Sequence, residues 1–127
     1  MTMKIKQSKY MLNSDILNMT AENIEEAIYK FAEITKGLYG DKITDLYLYG
    51  SVARGEYKDD SDIDLFMTMD AERTEINKIH MKICKIISDI GLDYNIILSC
   101  MMSTKQDFDN DIEYLHVNVK KDGVKIV

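Results

Sequence analysis

The chain has 127 residues, 46% of them apolar, which is the size of one ordinary domain with material for a single core. Its net charge of -6 argues against a basic surface made to grip duplex nucleic acid or an anionic membrane, so neither is expected as a stable partner. No run approaches the ~18 apolar residues of a membrane span, the basic opening MTMKIKQSKYMLN lacks the apolar stretch of a secretory signal, and Cys84 and Cys100 have no metal-type spacing. The expected compartment is the cytoplasm, with both thiols reduced.

Residues 1–13 are expected to form a flexible polar arm, and 14–127 a single domain. A helix is predicted from Thr20, a suitable N-cap. Ile24, Ala27, Ile28, Phe31, Ile34 and Leu38 recur at helical spacing, and Gly37 and Gly40 supply the stop. DLYLYG follows as a strand with Leu46 and Leu48 on one face and Tyr47 and Tyr49 on the other. After the small, polar SVARGEYKDDS comes a second strand, DIDLFMTM. Residues 71–90 read as a helix, with Ile76, Ile79, Ile83, Ile86 and Ile87 as its apolar stripe and Gly91 as its end. A third strand is expected from Asp93 to Met101, and a last helix from Ser103 through Phe108, Ile112, Leu115 and Val119 to Gly123. The order α-β-β-α-β-α describes one α/β domain, a small sheet covered by helices.

The chemically informative stretch is LYLYGSVARGEYKDDSDIDLFM, in which Gly50-Ser51 is followed by ten residues and then Asp62-Ile63-Asp64. Side chains alternate along a strand, so Asp62 and Asp64 project from one face while Ile63 turns to the core. Two carboxylates so close repel each other unless a cation lies between them. Mg²⁺ suits such a site, because it binds through one or two carboxylates and completes its shell with phosphates and water. Gly50 allows close backbone approach, Ser51 and the amides after it can donate to phosphate oxygens, and Arg54 offers a planar cation. Alone, an Asp-x-Asp is often an acidic loop, and Asp59 and Asp60 are read that way; the conjunction of strand, Gly-Ser, base and spaced acids carries the signal. His80 and His116 have no metal-spaced partner and are assigned structural roles.

GSVARGEYKDDSDIDLFM resembles the signature of the DNA polymerase β-like nucleotidyltransferase superfamily, in its minimal branch. YNIILSCMMSTKQDF resembles that family's third strand and following helix, and HVNVKKDGVKIV its closing segment. The resemblance implies a small mixed sheet flanked by helices, two divalent ions (Mg²⁺ or Mn²⁺) and a nucleoside triphosphate donor, with ATP expected. Gly50, Ser51 and Arg54 match the nucleotide-binding positions, and Asp62 and Asp64 the catalytic metal ligands. It also implies a third acid early in the third strand, which binds metal and activates the acceptor. Asn95 stands at the position that matches best, with Asp93 two residues earlier as a substitute.

Three functions remain open on these residues. The first is adenylylation of a protein, since the chain resembles the antitoxin of two-gene modules in which a minimal nucleotidyltransferase modifies a tyrosine of a HEPN-domain toxin. The second is transfer to a small molecule, as in aminoglycoside-modifying enzymes. The third is a weak or inactive nucleotide- or partner-binding module, which Asn95 favours. Self-association into a homo-oligomer is compatible with all three.

Overall fold

The computed structural model describes residues 22–53 and 62–126. The predicted arm and Thr20 lie outside them. Helix α1 spans Glu22–Tyr39. Ile24, Ala27, Ile28 and Phe31 are buried along one face, as the helical spacing requires. Thr35 is buried as well, its hydroxyl donating to the Phe31 carbonyl at 2.8 Å. Gly37 does not stop the helix; it lies within the last turns, facing open space. Gly40 does, with a φ of +54° that an L side chain adopts only at a cost, and it opens a short 3-10 turn, Gly40–Lys42.

Strand β1 (Ile43–Tyr49) follows, then a single helical turn α2 (Gly50–Ala53), β2 (Ile63–Met69), α3 (Arg73–Tyr94), β3 (Leu98–Thr104), α4 (Lys105–Asp109), α5 (Tyr114–Asp122) and β4 (Val124–Lys125). Among the described residues four strands form one mixed sheet in the order β3-β2-β1-β4. Antiparallel pairing joins β1 to β2 and to β4, whereas β2 and β3 run parallel. Parallel neighbours need a crossover, and α3 supplies it. This is the mixed α/β architecture expected from the sequence. No described helix is long and apolar enough to cross a membrane.

The main core lies on the face covered by α1 and α3. There Leu46 and Leu48 of β1 meet Ile63, Leu65, Met67 and Met69 of β2, with Ile76, Ile79 and Ile83 of α3 packed over them. The opposite face is divided. At one end Phe66, Phe108 and Val119 form a smaller cluster to which Tyr47, Tyr49 and Leu115 add. Phe66 lies 5.4 Å from the Phe108 ring and 5.6 Å from His116, centroid to centroid. The other end carries the acids.

Three boundaries differ from expectation. The final helix is broken in two, because the chain reverses through Asp111 at φ +51° between α4 and α5. The apolar tail forms β4 on the far side of β1. Most consequential, α3 runs past Gly91 to Tyr94, so β3 begins at Leu98 and not at Asp93. Gly91 is needed for a different reason: a Cβ there would sit 2.9 Å from the Ile96 carbonyl oxygen. The chain folds back over the last turn at that point, with the amides of Asn95 and Ile96 both donating to the Gly91 carbonyl. Asn95 takes the left-handed conformation (φ 55°, ψ 50°) that ends many helices, a role open to asparagine more than to most residues.

Candidate functional site

The site forms where β1 ends, α2 turns and β2 begins. Tyr49, the last residue of β1, pairs with Asp64 across the antiparallel ladder, so the turn at Gly50 is brought against the Asp64 carboxylate. Gly50 has a φ of +78°, and a Cβ built on it would lie 2.6 Å from Asp64 Oδ2. Both the backbone angle and the space therefore demand glycine. Ile63 is fully buried in the main core, which turns its neighbours Asp62 and Asp64 to the opposite face. Asp62 is exposed to solvent and Asp64 is half-buried.

From the other side, parallel register sets Ser99 of β3 beside Asp64. The Ser99 hydroxyl donates to Asp64 Oδ1 at 3.0 Å. One carboxylate oxygen thus meets β3 while the other faces Gly50. Ile97, whose carbonyl accepts from the Ile63 amide at 2.8 Å, precedes Ser99 on the same face and is 62% exposed. Tyr49 completes the surroundings. Burial first, and then the negative charge of Asp64, push its phenol up to about 12, so it remains neutral at any physiological pH.

Of the residues singled out from sequence, the fold sets Asp64 against Gly50, and Asp62 lies exposed just before β2. The backbone of Ser51 lies in the α2 turn, and its side chain and Arg54 lie outside the described residues. Asp93 and Asn95 are not part of the site as strand residues: Asp93 is in the last turn of α3 and Asn95 caps that helix, both exposed and ahead of β3. The positions that do adjoin the acids, Ile97 and Ser99, escaped the sequence reading because it placed the strand too early.

The two histidines have the structural roles assigned to them. His80 Nε2 lies 3.3 Å from the Cys100 carbonyl, and buried His116 accepts the Glu113 amide at Nδ1 at the start of α5. A buried acid not foreseen is Asp45, which meets Lys105 at 2.9 Å, Lys125 at 2.8 Å and the Thr68 hydroxyl at 3.0 Å. It ties α4 and β4 to the sheet, away from the Asp62–Asp64 end.

The donor set fits a hard cation that shares its shell with a ligand. Among the described residues no group of three or more His, Cys, Asp or Glu side chains is gathered to enclose a metal. Asp64, set against the Gly50 turn, and the exposed Asp62 two residues before it are two carboxylates, and a pair of carboxylates completed by phosphate and water is a donor set that suits Mg²⁺.

Comparison with known proteins finds relatives over most of the chain. "Putative protein adenylyltransferase MJ0604" of Methanocaldococcus jannaschii is 28% identical over 102 residues, covering 80% of this chain and 95% of that protein. "Putative protein adenylyltransferase MJ0141" of the same organism is 32% identical over 99 residues, covering 76% of this chain and 98% of that protein. Residues 28–126, from the first buried turns of α1 to the end of β4, match the nucleotidyltransferase domain, and the chain belongs to that family of transferases.

Proposed function

We propose that the chain transfers AMP from ATP to a hydroxyl of a partner protein. The observation that carries this reading is the Asp64 carboxylate set against Gly50; alternation puts Asp62, two residues earlier, on the same side of the chain. Asp62 and Asp64 hold the divalent ion, Mg²⁺ or Mn²⁺, which neutralises triphosphate charge when bound. The amides of the α2 turn receive phosphate oxygens. An acceptor oxygen attacks the α-phosphorus in line; the bond from that phosphorus to the oxygen bridging to the β-phosphate breaks, and pyrophosphate leaves while the acceptor proton passes to solvent. Positioning and charge neutralisation supply most of the rate.

Two features support a tyrosine of a protein as acceptor. β3 offers no base beside the acids, since Ile97 is apolar and Ser99 already donates to Asp64. A phenol, with its pKa near ~10, gives up a proton more readily than an aliphatic alcohol. Ile97 and Met101 also leave an exposed apolar rim that a protein surface covers better than a small polar acceptor does. The resemblance to antitoxins of paired modules supports a HEPN-domain toxin as the partner, with the chain acting as its antitoxin. Incubation with labelled ATP, Mg²⁺ and such a partner tests this. Label on a partner tyrosine that disappears with Asp62→Asn and with Asp64→Asn is the expected result. Labelling that survives both changes overturns the site, and tight nucleotide binding without transfer favours a binding module.

A further inference from the structure

We infer that Ser99 is a positioning residue for Asp64, holding the carboxylate in the orientation that binds the cation; this rests on the transferase reading above. Ser99 and Asp64 are register partners on adjacent parallel strands, and the Ser99 hydroxyl donates to Asp64 Oδ1 at 3.0 Å. On the opposite side Asp64 Oδ2 faces Gly50, which has no side chain. Asp64 Oδ2 already fills the space a Cβ on Gly50 would need, so on that side the carboxylate rests against the glycine turn. The bond from β3 fixes the direction of the other oxygen, Oδ1. The residues before and after Ser99 on that face, Ile97 and Met101, cannot replace it, since neither carries a hydrogen-bond donor.

The geometry also assigns a division of labour between the two acids. Asp62 is exposed and free to adjust to its ligand, whereas half-buried Asp64 is oriented in advance by β3. Outer partners that orient a metal-binding carboxylate are commonly worth about 10–100-fold in metal affinity. Loss of the Ser99 hydroxyl therefore raises the metal concentration needed for nucleotide binding about tenfold, while affinity for the nucleotide at saturating metal changes little.

The test uses the full chain, Mn²⁺ and a non-cleavable ATP analogue, with binding followed by calorimetry as Mn²⁺ is varied. Ser99→Thr and Ser99→Val are matched in shape, suit a strand and differ in the hydroxyl, so a packing effect is common to both. Asp64→Asn runs beside them. The expected result is a Mn²⁺ midpoint near wild type for Thr, about tenfold higher for Val, and no Mn²⁺-dependent binding for Asp64→Asn. Equal midpoints for Thr and Val, with binding lost in Asp64→Asn, overturn the role of Ser99 and leave the transferase reading intact. Binding in Asp64→Asn that matches wild type, or no Mn²⁺-dependent binding by wild type, overturns the transferase reading itself.

Discussion

Replacing Gly50 by alanine tests the site through its tightest contact. The added methyl would sit 2.6 Å from Asp64 Oδ2, about 0.8 Å inside ordinary van der Waals separation. The φ of +78° adds backbone strain for any residue with a Cβ, about 1–2 kcal/mol. For a domain of this length each kcal/mol lowers the melting temperature by about 4 °C, so a fall of about 4–8 °C is expected. Activity should fall further than stability. The contact is relieved without unfolding the turn by displacing the carboxylate or the turn itself, and, on the proposed function, a misplacement near 1 Å can cost ~10²-fold in rate. The assay pairs thermal melts with label transfer from ATP under saturating metal. Transfer near the wild-type rate in a variant that still melts cooperatively refutes the claim that Gly50 and Asp64 form one catalytic unit.

Gly37→Ala is the matching control: nothing lies within 4 Å of the new methyl inside α1, so stability should rise by about 0.8–1 kcal/mol, seen as a higher denaturation midpoint with transfer unchanged. Asn95→Asp should leave transfer and metal dependence unaltered, because Asn95 caps α3 outside the site. Ile97→Asp, by contrast, adds a carboxylate to the face shared with Asp62 and Asp64 and should tighten Mn²⁺ binding about tenfold through higher ligand charge; calorimetry showing equal or weaker binding would reject that register. Burial pushes the Asp45 carboxyl up, but hydrogen bonds from Lys125, Lys105 and Thr68 outweigh it and leave it below the usual carboxylate range. A lowered folded value means that its stabilisation is complete above the unfolded pKa of ~3.9 and is lost as pH falls through the folded one. Asp45→Asn should therefore cost about 2 kcal/mol at pH ~7, with the gap from wild type closing at strongly acidic pH in urea titrations.

The parts of the site carried by adjacent residues were legible in the sequence, and the parts carried by register were not. Asp62, Ile63 and Asp64 declare their faces by alternation alone, and the buried Ile63 confirms it. Gly50 could be recognised as a close approach, although not that the approach is to Asp64. Parallel pairing of β2 with β3 depends on where α3 stops, and there local signals misled. Gly91 reads as a terminator by propensity, yet Ile90 and Tyr94 continue the buried stripe of α3 into the main core, and packing overrode the weak glycine penalty. The mistaken stop moved the expected strand ahead by several residues, which put Asn95 where Ile97 and Ser99 belong. The error is one of distance along the strand and not of face, because the offsets of two and four residues are even.

Along one face of β2 the environment changes in order: Asp62 is exposed, Asp64 half-buried, Phe66 and Thr68 buried. That gradient spans about 20 Å of strand and explains how so small a chain can keep two like charges close together on its sheet. Phe66 is gripped by Phe108 and His116, and Thr68 is bonded to Asp45, so β2 is anchored at the end remote from the acids. The free end can then present Asp62 to water and a ligand without loosening the strand. A site on a clamped strand is held more closely than one on a loop. The opposite face of the same strand, from Ile63 to Met69, secures the fold against α1 and α3. Because stability is drawn from one face and from the remote half of the other, the remaining half-face can afford unfavourable chemistry.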